Sequence, residues 1–272
     1  VVEDTQAETA GNQFVWIPVG KIYTDEAKTE ANAKTITLGR YENFAKNEDG
    51  TYTVAQKASD YENQVKIEFY HIEDTTENHN SNYANSIAKN IGEFCTKANS
   101  NGGYYIGRYE ARSGTTERKS KNDELTPVTL KANDYVYNYV TQLQASERCQ
   151  SMYTNKPYES DLVNSYAWDT AIIFFQEFGD NSTYASKKSV NTSLANTGTS
   201  GTSYTGNKDV MCNVYDMASN CCEWSTETRS VPKYYCTWRG GYSSVGYTRY
   251  RSYVDDTTGA NDYRSFRPLL YM

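Results

Sequence analysis

The sequence predicts an α+β fold. Short strand-like runs occupy both ends of the chain, helical patterns cluster in its middle, and the two do not alternate as βαβ units would. Its 272 residues suffice for one large mixed domain, 1–272, and no internal repeat divides it.

From the N-terminus, Phe14-Val15-Trp16-Ile17-Pro18-Val19 is a short apolar run closed by proline and Gly20, the pattern of a buried strand. Residues 21–101 turn polar and read as surface elaboration, broken by the alternating stretch Val65–Phe69. A helix is expected over Ile87–Thr96. Gly102-Gly103 then opens an aromatic strand, Tyr104–Glu110. Tyr135, Tyr139 and Leu143 recur every four residues and predict a helix within 134–152. Over Ser165–Phe178 the apolar spacing of Trp168, Ile172 and Phe175 predicts an amphipathic helix, with Ser165 as N-cap and Gly179 as stop. The Ser/Thr/Asn/Gly stretch 181–207 reads as a solvated loop, and short strands follow up to Leu269.

The hydrophobic fraction is 38%, yet 26 Tyr and 4 Trp supply burial capacity that a polar-looking chain would otherwise lack. A net charge of −7 and no basic run argue against nucleic acid. No segment approaches the roughly 18–20 apolar residues of a membrane helix. The start Val1-Val2-Glu3-Asp4 carries no leader pattern, so a mature or trimmed chain is expected, with membrane attachment only through a removed N-terminal anchor. Six cysteines (95, 149, 212, 221, 222 and 236) permit disulfides in fifteen pairings, and buried thiols fit equally well. With two histidines and no CxxC, zinc is not expected.

Several landmarks in order resemble the formylglycine-generating-enzyme (sulfatase-modifying factor) family. Phe14–Val19 resembles its "FVWIP" strand, Tyr104–Glu110 its "FYIGKYEVT" strand, and Tyr166-Ala167-Trp168 the start of its helix. Asn213–Asn220 followed by Glu223-Trp224 resembles "NVYDMAGNVWEW". Arg239-Gly240-Gly241 and Ser265-Phe266-Arg267-Pro268 resemble its closing "RGGS" and "GFRP" strands. The resemblance spans nearly the whole chain and implies a C-type-lectin-like fold, with small antiparallel sheets, two main helices and long irregular loops. Residues 42–100 have no counterpart in that pattern and read as an insertion.

The family's oxidising members use a cysteine pair just after the RGG motif. Here Tyr242–Tyr250 contains none, and no cysteine follows Cys236, so no soft thiolate is available there and the chain is not expected to be an enzyme. His71 and His79 lack the spacing of a helical metal pair, and no G-x-S-x-G turn is present. The resemblance also implies a structural calcium site. Asp216 and Glu223 would supply carboxylates and Ser219 and Cys221 carbonyls, the hard oxygen donors calcium takes. Ser219 replaces the usual glycine, and the alternative is that both acids cap turns.

Composition changes near Tyr234. From there to Met272 there is no Lys, Glu or Gln, although the preceding chain holds all sixteen Lys and all nineteen Glu. Tyr, Ser, Thr, Asp, Asn, Gly and Arg take their place, the residues that dominate binding loops: rigid amphipathic rings beside adaptable hydrogen-bonding groups. Adenine-directed mutation of AAC codons, as practised by diversity-generating retroelements, yields this set and cannot yield Lys, Glu or Gln. The segment from Arg239 to Tyr271 resembles the variable repeats of such proteins, which are built on the same fold. Residues 234–272 are therefore expected to be a variable region. Arg239, Gly240, Gly241, Gly246, Arg251 and Ser265–Pro268 are its expected scaffold. The expected ligand contacts are Tyr234, Tyr235, Tyr242, Ser243, Ser244, Val245, Tyr247, Tyr250, Ser252, Tyr253, Asp255, Asp256, Asn261, Asp262, Tyr263 and Arg264. A protein or peptide ligand, and display on a cell surface or phage particle, follow from the resemblance. A non-catalytic adhesion or assembly role, or a divergent oxidase, are the competing expectations.

Overall fold

The computed structural model describes residues 1–6, 8–58, 88–189, 209–229, 235–242, 245–254 and 259–272. It is a mixed α+β structure of several small, mostly antiparallel sheets and, among the described residues, three α-helices. The alternating stretch Val65–Phe69, both histidines and most of the 181–207 loop lie outside the described residues.

Two sheets organise the molecule. The first has order β1 (Val2–Glu3), β2 (Gln13–Pro18), β7 (Gly103–Gly107), β15 (Pro268–Tyr271) and β8 (Glu159–Leu162), with antiparallel neighbours throughout. It joins the chain's two ends: Val15 pairs Ile106, which in turn pairs Leu269. The second has order β13 (Val245–Val254), β12 (Tyr235–Tyr242), β11 (Cys222–Arg229) and β14 (Arg264–Phe266), and its β11–β14 pair is parallel. Hairpins β3 (Gly20–Tyr23) with β4 (Ala33–Ile36), β5 (Gly39–Lys46) with β6 (Tyr52–Lys57), and β9 (Val210–Met211) with β10 (Val214–Tyr215) complete the strands.

Helix α3, Ser165–Phe178, is buried on nearly all sides, so its amphipathic spacing understates its role. Asn164, one residue earlier than expected, is its N-cap: the side-chain oxygen accepts from the Ala167 amide at 2.9 Å. Gly179 ends it as expected. Its polar side chains serve neighbouring backbone rather than solvent. Asp169 accepts from the Tyr41 amide at 2.9 Å, Thr170 from the Gly39 amide at 3.1 Å, and Gln176 donates to the Phe44 carbonyl at 2.8 Å. These bonds satisfy an edge of β5 that would otherwise be buried unpaired.

Two expectations are corrected here. Residues 21–101 are not merely surface elaboration. Ile36, Leu38, Tyr41, Phe44, Ile91, Phe94, Cys95 and Ala98 are buried in the main core, where Phe94 packs edge-on against Tyr104 and Tyr271. Helix α1 there runs Ile91–Ser100, starting four residues after the expected point because Asn90 caps it, accepting from the Glu93 amide at 2.9 Å. The second correction concerns 134–152. Helix α2 occupies only Gln142–Ser151, opened by a reciprocal Thr141–Gln144 capping box. Tyr139 stands in the left-handed region at φ 55°, and the Ser113 amide donates to the Tyr135 carbonyl at 2.8 Å, so the preceding residues form irregular extended backbone. With α1 and α2 of equal length, the fold has three comparable helices among the described residues rather than two main ones.

All six cysteines are thiols, with Cys212 half-buried and the others buried. Burial pushes Cys149 and Cys221 well above the ordinary thiol range and Cys212 up to about 11.

Candidate ligand-binding face

The sheet β13-β12-β11-β14 carries the C-terminal segment, and its underside is held by buried charge. Arg239 is fully buried on β12. Its Nη2 donates to Asp169 Oδ1 at 2.6 Å, its Nε donates to the Tyr250 carbonyl at 3.0 Å, and its guanidinium lies 5.4 Å from the Trp168 ring. Arg251, opposite it on β13, donates to the other Asp169 oxygen and to Glu227 Oε2 at 3.1 Å. Arg40 of β5 closes the set by donating to Glu227 Oε1 at 2.9 Å. Burial works to raise both carboxyls. The arginines more than offset it, holding Asp169 and Glu227 below their ordinary range, while burial and Arg251 push Arg239 down to about 10. Two acids shared among three guanidinium groups thus tie both strands of the hairpin to α3, β5 and β11.

Backbone constraints act at the same place. Gly240 has φ +77°, and a Cβ there would meet the Met217 carbonyl oxygen at 2.6 Å. Gly246 has φ +88°, with Gly241 Cα 2.9 Å from where its Cβ would be. Only glycine satisfies both conditions. The ladder shifts register between Arg239 and Gly241, where Gly240 of β12 stands opposite the four residues 247–250 of β13. Trp168 Nε1 donates to the Thr248 carbonyl at 3.0 Å, fixing β13 midway.

The outward side carries rings. Tyr242 and Tyr263 stack with centroids 4.3 Å apart and planes 14° apart, and Trp238 meets Tyr242 edge-on at 6.1 Å. A second group joins Tyr247 and Tyr250, 4.9 Å apart, with Arg249 lying 4.9 Å from the Tyr247 ring. Tyr250 is among the few large apolar side chains the described residues expose, at 37%. Arg249 Nη1 also donates to Ser186 Oγ at 2.5 Å, which steadies it.

Of the expected contacts, Tyr242, Tyr247, Ser252, Asn261 and Tyr263 are half-buried, and Tyr250 and Asp262 exposed. Arg264 is corrected. It is 6% exposed, donates to the Gly259 carbonyl at 2.8 Å, and sits against Trp224, Trp238 and Tyr263, so it supports the rings from beneath. Tyr234, Ser243, Ser244, Asp255 and Asp256 lie outside the described residues; for Tyr235, Val245 and Tyr253 only the backbone pairing is described. Trp238 and Arg249 are not among the expected contacts. Trp238 is legible in principle: it stands four residues before Tyr242 and therefore on the same side of a strand.

Of the two carboxylates expected to hold calcium, Glu223 is paired with an arginine and Asp216 is not. Glu223 is buried and doubly bonded to Arg267, whose Nε donates at 2.9 Å and Nη2 at 2.5 Å. The Cys221 amide donates to Glu110 at 2.9 Å. Asp216 is buried at φ 63°, with neither oxygen hydrogen-bonded among the described residues. Burial first, then Glu110 and Asp209, push its carboxyl well up. No three His, Cys, Asp or Glu side chains among the described residues converge on a metal position. With both Glu223 oxygens given to Arg267, that carboxylate is not open to a cation.

No family model matches the chain, and no curated protein is similar to it. No helix among the described residues is long and apolar enough to cross a membrane.

Proposed function

We propose that this chain is a non-enzymatic ligand-binding protein with a C-type-lectin-like fold of the formylglycine-generating-enzyme type, whose C-terminal face is diversified by a retroelement. The observation that carries this reading is the division of labour along β12, β13 and β14. Residues expected as scaffold are buried or backbone-constrained: Arg239, Gly240, Gly246, Ser265, Phe266 and Arg267, with Arg251 ion-paired. Residues expected to vary, Tyr242, Tyr247, Tyr250, Asp262 and Tyr263, project at the half-buried or exposed surface. A face of Tyr and Trp with adaptable polar neighbours suits a protein or peptide ligand, bound at a cell surface or phage particle.

The test is genetic and direct. The DNA flanking the gene should contain a reverse transcriptase and a near-copy of the codons for 234–272, with mismatches at adenines. Amplicon sequencing of the source population should find replacements at Tyr242, Tyr247, Tyr250 and Tyr263, and none at Arg239, Gly240 or Arg251. A locus without such a copy, or a population invariant across the segment, overturns the retroelement reading and leaves a fixed adhesion or assembly role.

A further inference from the structure

A separate cavity of about 270 Å³ lies at the first sheet, walled by Phe14, Tyr105, Tyr153, Tyr158 and Leu270. Four of these five are aromatic. Phe14 and Tyr153 stand 6.1 Å apart, Tyr153 and Tyr158 5.2 Å apart at 62°, so the rings meet at angles that form walls. The cavity exceeds the roughly 150 Å³ that accommodates benzene. Val1, Val2 and Met272 are three of the four large apolar side chains exposed among the described residues, and Val2 and Met272 line this opening.

The charged groups of the lining are acidic. Among the described residues, Glu3 and Asp4 are the only charged groups in the lining. Asp4 Oδ1 accepts from the Gln6 amide at 2.8 Å and Oδ2 from Thr9 Oγ1 at 2.5 Å. Burial works to raise its pKa, but those bonds, with Tyr153 and Lys156 nearby, hold it below the ordinary carboxylate range. Glu3 accepts from Gln13 Nε2 at 2.8 Å. Tyr153, 3% exposed, places its hydroxyl beside Asp4, Asn12 and Thr9.

We propose that this cavity binds a small organic ammonium compound with an aromatic or aliphatic body, the ring faces and Asp4 receiving the cation and the apolar walls the body. Ring faces attract cations through their quadrupole, and a fixed carboxylate beside them adds selectivity over a neutral compound of the same shape. This site is independent of the C-terminal face.

The experiment titrates the full chain with phenethylammonium chloride and with uncharged phenethyl alcohol, followed by calorimetry and by ligand-observed NMR. The ammonium compound should bind about three- to ten-fold more tightly. Asp4→Asn should bring it down to the level of the alcohol, and Tyr158→Ala should weaken both. Should Asp4→Asn fail to fold, the exposed Glu3→Gln substitution tests the same charge preference. Equal affinities, or no binding of either compound at millimolar concentration, overturn the proposal. So does a concentration-dependent dimer abolished by Tyr158→Ala, which would make the patch an interface between copies of this chain.

Discussion

Replacing Asp169 by asparagine is expected to be among the most damaging isosteric changes available in this molecule. The amide side chain in D169N would keep an acceptor for the Tyr41 amide, but it withdraws the counter-charge from Arg239 and Arg251 together. Arg239 is fully buried, and its remaining acid, Glu227, lies 3.6 Å away and already serves Arg40 and Arg251. Breaking one partner of a buried ion pair costs about 3–5 kcal/mol, because the other charge stays buried. Set against a typical total of about 5–15 kcal/mol, that is a large share. At ~2–4 °C per kcal/mol for a chain of this size, Tm should fall by roughly 6–20 °C. Thermal melts and urea titrations of D169N measure this directly. Glu30→Gln, which breaks the exposed Lys21–Glu30 pair, is the control and should leave Tm unchanged. If D169N melts within about 2 °C of the parent, the charge network does not hold the hairpin and the reasoning is wrong.

Four further outcomes follow from the same structure. Gly240→Ala should destabilise by about 2 kcal/mol or more, since it combines positive φ with a clash against Met217, and denaturant midpoints would show it. Tyr250→Ala, at an exposed ring, should change stability by about 0.5 kcal/mol or less while altering any ligand preference of the face. Stability should also depend on pH in two opposed ways. Asp169 and Glu227 have depressed folded pKa values, so their contribution is present above their ordinary values of 3.8 and 4.5 and is lost as pH falls through the folded ones. Glu110 and Asp161 are each raised to about 7 by burial, so the folded state holds extra protons and stability declines as pH rises from about 4 to 7. Asp161→Asn should flatten that decline in a urea series run from about pH 4 to 8. Finally, a thiol reagent should modify Cys212 slowly in the native protein and all six cysteines once it is unfolded.

The legible parts of the fold are those in which burial and local pattern coincide. Phe14–Pro18 reads as a strand because it is apolar throughout and lies between two neighbours in a sheet. Ser165–Phe178 reads as a helix because apolar spacing, a capping side chain and Gly179 agree. Tyr135, Tyr139 and Leu143 mislead because their spacing is fortuitous. Val136, Tyr137, Asn138 and Val140 are the residues buried there, on backbone paired with Arg112 and Ala111 rather than wound into a helix. The block 21–101 hides its core residues among Thr, Asn and Lys, since its two hairpins and the link between them bury only a few side chains, among them Ile36, Leu38, Tyr41 and Phe44. At the candidate face, composition marks the segment, yet the role of Arg264 depends on the Gly259 carbonyl and three surrounding rings, which only the folded chain brings together.

The fixings of the β12–β13 hairpin have an uneven ancestry along the chain. Trp168, Asp169 and Glu227 all precede residue 234, whereas the groups they hold are the Thr248 carbonyl and the guanidinium groups of Arg239 and Arg251. Half of each fastening is therefore encoded away from the segment it secures, and part of the other half is main chain, which no codon change removes. A combinatorial library built on this hairpin can hold Arg239, Gly240, Gly246 and Arg251 constant and randomise the outward rings freely. Its members would inherit their stability from sequence that the randomisation never reaches.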